Sequence, residues 1–168
     1  MDTNPHDLTR AGLLAWLESK RRHVVQQVGA MPAEARRAAH VPSGWTPLGL
    51  VNHLTFDVER VWLRAVMGGE EVELPQGYDG WLAPEDRSDD DILEAYADEC
   101  RAATRAVEDM PLDHGPAWWF DDGGAPPYQS LREVLMHVLV ETSTHAGHLD
   151  ICRELADGGQ HLVLDEPG

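Results

Sequence analysis

The chain has 168 residues, 42% of them hydrophobic and 26% charged, with a formal net charge of −17 and two cysteines. That length allows one domain with a core of its own. So acidic a chain lacks the basic footprint that nucleic acid requires and is repelled by an anionic membrane surface.

Cys100 and Cys152 are too few for a disulfide framework and sit in helical patterns, where they read as small buried hydrophobes. No apolar run approaches the roughly 18 residues needed to span a bilayer, and the acidic N-terminus has no apolar signal segment. A cytoplasmic protein is the expectation.

Asn4-Pro5 reads as a cap with proline in the first turn. Leu13, Leu17, Val24 and Val28 then recur at helical spacing to about Met31, with Arg10, Glu18, Lys20, Arg21 and Arg22 on the wet side. Pro32 ends this helix, residues 33–39 allow a short helical turn, and residues 40–45 connect. Thr46-Pro47 restarts a helix to about Met67. Its apolar stripe is Leu50, Leu54, Val58, Val61 and Ala65. His53 and Asp57 lie four apart on the stripe's edge, and Glu59 faces away from it.

Gly68-Gly69 stops that helix. Residues 70–87 read as loop, with Tyr78 and Trp81 packing over an end of the domain. Ser88 and the acidic run behind it open a third helix to about Met110, with Ile92, Tyr96, Cys100, Ala103 and Val107 inward. A second long loop, 111–128, holds Trp118, Trp119 and Phe120, the makings of a lid. Ser130 and Glu133 form a capping box for the fourth helix, which runs to about Ala156 and ends at Gly158-Gly159. In the tail, Leu162-Val163-Leu164 is expected to pack on the bundle or on a partner subunit. Four long amphipathic segments with no alternating strand pattern predict an all-α four-helix bundle, one domain over residues 1–168.

The fourth helix carries the chemistry. Glu141 and His145 lie one turn apart, with His148 three residues on. They share a stripe with Val134, Val138, Leu149 and Cys152, so they are expected to point inward. Buried imidazole and carboxylate need partners, and one divalent metal serves them all. Such donors suit zinc, nickel, iron or manganese, and the pair alone does not choose among them. A third ligand must come from another helix, and His53 is the strongest candidate. Two histidines and one carboxylate leave open positions, the catalytic rather than the closed structural pattern.

His137 and His148 share the stripe, and either could ligate instead. His148 reads better as an acid/base group or substrate contact, and His137 as too far along the bundle. Asp57 is either an acceptor for an imidazole N–H or a solvated salt-bridge partner. The plainer alternative for each histidine is a hydrogen-bonded core residue. His6, His23, His40, His114 and His161 fall in terminal, exposed or loop positions. No GxGxxG, P-loop, GxSxG or HExxH is present. Trp45, Trp62, Trp118 and Trp119 read as core or lid aromatics.

Three runs together resemble the DinB/YfiT-like superfamily. They are Ser43-Gly44-Trp45-Thr46-Pro47-Leu48-Gly49-Leu50-Val51-Asn52-His53-Leu54, then Val58-Glu59-Arg60-Val61-Trp62, then Glu141-Thr142-Ser143-Thr144-His145-Ala146-Gly147-His148-Leu149-Asp150. The chain looks closest to the actinobacterial branch labelled mini-circle or DinB-like proteins. The resemblance implies up-down-down-up connectivity, with long loops between helices 2 and 3 and between helices 3 and 4. It also implies a divalent metal held by a histidine of the second helix and two residues four apart on the last, which match His53, Glu141 and His145.

Many members have histidine where this chain has Glu141, but relatives similar to mycothiol-dependent maleylpyruvate isomerase have glutamate there. The family's HRGQ pattern becomes His145-Ala146-Gly147-His148, which keeps the glycine and puts His148 in place of the glutamine. The activity implied by the resemblance is that of a metal-dependent transferase, isomerase or hydrolase acting on a small molecule, with mycothiol as co-substrate, in a homodimer. The competing class is a stress-associated binding protein with a vestigial or empty site, acting through its dimer surface. An enzyme requires an open pocket beside His148, with Trp118 or Trp119 expected to line it.

Overall fold

The computed structural model describes residues 5–120 and 124–161, and among them there are helices and no strand. They are α1 (Pro5–Ala30), the single turn α2 (Ala33–Arg36), α3 (Pro47–His53) continuing directly into a π-helical segment (Leu54–Met67), α4 (Asp89–Val107) and α5 (Leu131–Asp157). A 3-10 turn, Asp79–Trp81, interrupts the first long loop. The expected cap at Asn4 and the apolar piece Leu162-Val163-Leu164 lie outside the described residues. None of the described helices is long and apolar enough to cross a membrane.

The helix ends follow local chemistry. Thr46 accepts the Gly49 amide at 3.0 Å, and Pro47 occupies the first turn, where its missing N–H costs nothing. Ser88 and Asp91 close a reciprocal capping box. The box expected at Ser130 is only half formed. Ser130 accepts the Glu133 amide, but the Glu133 carboxylate reaches one residue further back, to the Gln129 amide at 2.6 Å. Gly158 closes α5 at φ 75°, a conformation that favours glycine. The α4 helix stops at Val107, three residues earlier than its periodicity predicts, and a turn then bonds the Met110 amide to the Val107 carbonyl at 3.0 Å.

Two packed pairs make the core, α1 on α5 and the π-segment on α4. Leu17, Val24 and Val28 of α1 and Ile92, Tyr96 and Ala103 of α4 are buried, as their spacing predicts. Four of the five stripe residues predicted for the helix Pro47–Met67, namely Leu50, Leu54, Val58 and Ala65, are buried. An α-helix bonds each amide four residues back and a π-helix five. Over Leu54–Met67 the buried residues are Leu54, Thr55, Val58, Glu59, Leu63, Ala65, Val66 and Met67, a wider face than the predicted stripe, while Val61 is only half-buried. Glu59, expected to face water, is instead fully buried.

Its partner is Arg21, also expected on a wet face and only 3% exposed. The guanidinium Nε and Nη2 donate to the two Glu59 oxygens at 2.7 and 2.5 Å, and Nη1 reaches Thr104 Oγ1 at 2.7 Å. The contacts tie α1, the π-segment and α4 together. Burial disfavours the charged guanidinium, but the facing Glu59 carboxylate outweighs it and raises the Arg21 pKa. Glu99 of α4 plays a similar part, accepting Arg60 at 2.6 Å and Arg64 at 2.8 Å. His23 also departs from expectation. It is buried at the α1–α5 seam, with Nε2 2.7 Å from Asp150 Oδ1.

Removing one member of a buried pair strands the other charge, at a cost of about 3–5 kcal/mol. Glu59→Leu is therefore expected to lower the urea-unfolding free energy by about 3 kcal/mol, and Arg21→Met/Glu59→Leu to recover most of the loss. A single substitution within about 0.5 kcal/mol of wild type, the usual range for an uncoupled surface site, rules out the pair as the tie between the three helices.

Candidate metal centre

The site forms where the end of α3 faces the middle of α5. On α5 the fully buried seam is Val134, Val138, Thr142, Ala146 and Leu149. Glu141 and His145 lie one residue to the side of this seam and are half-buried, and His148 is exposed. The residues expected to point into the core therefore line its edge. The offset matters chemically, because a donor sealed in the core meets no ion or substrate.

One donor atom each from His53, Glu141 and His145 lie within 4.8 Å of one another. Among the described residues this is the one group of three or more His, Cys, Asp or Glu donors close enough to share an ion. His145 Nε2 stands 3.4 Å from Glu141 Oε2, and the His53 and His145 rings meet edge to face at 5.1 Å. His148 joins through a ring nitrogen 3.4 Å from His145 Nδ1. His137 is on the same line of α5 but belongs to another cluster, bonded to the Tyr128 hydroxyl at 3.0 Å and set edge-on to Trp62 at 4.6 Å.

The donor set fits a divalent metal. His53 Nδ1 is bonded to Asp57 Oδ2 at 2.8 Å. A carboxylate can only accept, so Nδ1 carries the proton and the Nε2 lone pair is left for a ligand. Of the two readings of Asp57, the bonded acceptor is the one realised. Burial, reinforced by the neighbouring His53 and His148 rings, lowers the His145 pKa to about 4, although Glu141 acts in the opposite sense. The imidazole is therefore neutral at pH 7, the form a metal requires. Burial also holds His137 below its ordinary value.

A clamp around His53 had no periodic signature. The turn Asp79–Trp81 lies against α3, and Trp81 stacks on the His53 ring at 3.9 Å and 14°. Asn52 Nδ2 donates to the carbonyls of Gly80 and Leu82, both at 3.0 Å. A Cβ on Gly80 would collide with Asp57 Oδ2, so only glycine lets this turn seat against that carboxylate. In the sequence, the amide of Asn52 beside Val51 signals only that a partner is needed, and not that the turn Asp79–Trp81 supplies it.

The aromatics beside the histidines are Trp81 and Trp45, whose ring is 6.2 Å from that of His148. Trp119 packs instead on Trp62 at 5.7 Å, and the Val66 carbonyl holds the amides of Ala117 and Trp118 at 2.8 and 3.1 Å. By these contacts the second loop is fastened toward the far end of the π-segment, not over the triad.

Helices alone in the described residues, with two histidines and a carboxylate facing one another across α3 and α5, define a helical protein with a candidate divalent-metal centre. The mycothiol-S-transferase family model matches residues 12–158. The chain belongs to that family, a DinB/YfiT-like one. Comparison with curated proteins and with solved structures gave no match.

The depressed His145 pKa has a sign that can be checked. The unfolded chain binds the proton with an ordinary pKa of 6.5 and the folded chain with one of about 4. Stability from this group is complete above pH 6.5 and is lost as pH falls toward 4. Metal-free wild type is expected to lose more stability than His145→Asn between pH 7 and pH 4.5, measured by urea midpoints. Parallel losses in the two proteins contradict the assignment. Independently, Gly80→Ala displaces Asp57 and is expected to weaken metal affinity about 10-fold or more.

Proposed function

We propose that the chain is a mycothiol-dependent S-transferase in which His53, Glu141 and His145 hold a divalent ion, zinc or nickel, and His148 moves the thiol proton. The observation that carries this reading is the convergence of those three donors on one half-buried edge, in a member of this family. A divalent ion in such a site lowers the pKa of a thiol, so that thiolate forms near neutral pH.

The chain's own residues prepare the rest. Neutral His145 offers a lone pair without first losing a proton. The Glu141 side chain is 37% exposed, which leaves the donors within reach of small molecules. His148 stands at the rim with its second ring nitrogen, Nε2, free of a hydrogen-bond partner among the described residues. The His148 imidazole takes up the mycothiol proton. The sulfur forms its bond to the electrophilic carbon as the leaving group departs with the bonding pair, or, in an addition, the proton returns to the substrate.

The same reading makes the long helices an up-down-down-up four-helix bundle in one domain, working in the cytoplasm as a homodimer. Met136, Val140, Ile151 and Leu155 support the dimer, because they fall on one outer face of α5 and are 46–62% exposed. The reachable donor set favours an enzyme over a binding protein with a closed, vestigial site.

Protein purified without an affinity tag is expected to carry a divalent ion that His53→Ala and His145→Ala lose. Equal metal content in the variants and wild type rejects the ligand set. Mycothiol titrated calorimetrically into metal-loaded protein is expected to give binding heat, and silence rejects the thiol. His148→Gln should keep its metal while kcat falls about 10²-fold or more, the usual scale for a lost acid/base group.

A further inference from the structure

The clamp on His53 also builds one wall of a recess, and the recess has a chemistry of its own. It encloses about 260 Å³ and is bordered by Trp45, Thr46, Tyr78, Trp81, Arg37 and Glu85. Two of these rings reach the candidate centre. Trp81 stacks on His53 and stands 5.6 Å from the His145 ring, and Trp45 stands 6.2 Å from His148. The Tyr78 ring lies nearly parallel to that of Trp81, at 12° and 6.5 Å between centroids. We propose that this recess binds the electrophile of the transfer through a neutral, planar aromatic ring, and that Trp81 and Tyr78 are specificity-determining residues. The inference rests on the thiol-transfer reading only for the ligand's role as electrophile.

Shape is the first argument. The volume is below the roughly 300–1,000 Å³ typical of pockets for drug-sized ligands, so it suits a single substituted ring. Flat indole and phenol faces recognise a flat π-system better than a puckered aliphatic ring of equal size, because offset stacking requires parallel planes.

Rigidity is the second. A Cβ on Gly49 would collide with the Trp81 carbonyl oxygen, so the turn sits directly on the backbone of α3. Asn52 fixes the carbonyls of Gly80 and Leu82, on either side of Trp81. The Trp81 wall is held before any ligand arrives, which lowers the ordering cost of binding.

Charge is the third. Arg37 is already engaged, donating to Asp89 Oδ1 at 2.8 Å and to the carbonyls of Pro84 and Arg87 at 3.2 and 2.7 Å. The Thr46 hydroxyl holds the Gly49 amide. Glu85 is exposed and has no partner among the described residues, so it adds negative charge at the rim. With its cation neutralised and its rim acidic, the recess does not suit an anion.

The test is equilibrium dialysis of the intact chain, chelated and thiol-free, against 1,3-dinitrobenzene, an unreactive analogue of an aromatic electrophile. Saturable one-site binding is expected. It should be about 10-fold weaker for Trp81→Leu, clearly weaker for Tyr78→Ala, and unchanged for Trp118→Leu on the other loop. Cyclohexanone should bind at least 10-fold more weakly than the aromatic probe. Tyr78 is 59% exposed, so Tyr78→Ala keeps the test decisive if Trp81→Leu does not fold.

No saturable binding to wild type, wild-type affinity in both recess variants, or equal affinity for cyclohexanone overturns the proposal. Tighter binding of 3,5-dinitrobenzoate than of 1,3-dinitrobenzene overturns the neutral class. Ring binding that survives while mycothiol gives no heat sinks the thiol reading alone. Mycothiol binding without ring binding sinks this inference alone.

Discussion

The arrangement of both the core and the candidate site depends on a change of helical register immediately after His53. Before it the helix is α, and beyond it the bonds reach five residues back, as from the Gly68 amide to the Leu63 carbonyl at 3.1 Å. A π-helix as long as Leu54–Met67 is uncommon, because the wider turn weakens contacts along the helix axis, and such segments are usually one turn long. Ion pairs on the segment oppose that tendency. Glu59 is locked to Arg21 of α1, and Arg60 and Arg64 are locked to Glu99 of α4. Unwinding the segment back to α would rotate these groups out of register and leave buried charges without partners.

The distribution of charge serves the same end. A chain with a net charge of −17 has only 13 lysines and arginines, yet three arginines are spent on two buried carboxylates between helices. The candidate centre is treated differently. His145 is surrounded by two other imidazoles and one carboxylate, and its burial disfavours a proton. The ion pairs keep their charges because each guanidinium faces a carboxylate. The imidazole becomes neutral because its surroundings offer too little compensation. A neutral imidazole beside a carboxylate suits a cation, whereas the buried arginine pairs already have their counter-ions.

The helices were legible where termination chemistry is local. Thr46-Pro47, Ser88 with Asp91, and Gly158 mark their positions whatever the tertiary structure does. The pairing of Glu141 with His145 was legible too, since a four-residue spacing places two side chains on one face of any α-helix. Glu59 was misread because a 3.6-residue period was carried across a segment that does not keep it, and Arg21 because its charge was weighed above its place between Leu17 and Val24 on the buried stripe of α1. Nothing in Leu54–Met67 alone signals the wider turn, because its cause lies in α1 and α4. His23 was misread for a related reason: only its partner Asp150, across the α1–α5 seam, makes a buried imidazole acceptable. The roles of Trp81 and Gly80 were out of reach because a loop has no period, and their positions come from contacts with Asn52, Asp57 and Gly49.

Those loop contacts bear on how the candidate centre works. A histidine that ligates a metal needs its tautomer, ring plane and position fixed, and each has its own cause here. Asp57 sets the tautomer through the bond to Nδ1, Trp81 sets the plane by stacking, and the α3 backbone sets the position. The turn is itself seated by Asn52 and by the close approach at Gly80, so a change at a residue that touches no ligand propagates to His53. Among the described residues, the His145 and Glu141 side chains have no polar contacts beyond each other and His148, and the rings of His53 and Trp81 meet His145 only edge to face. The α3 side of the site is therefore preorganised and the α5 side is adjustable, which suits a candidate centre that would fix one donor firmly and leave room for the others to close on an ion.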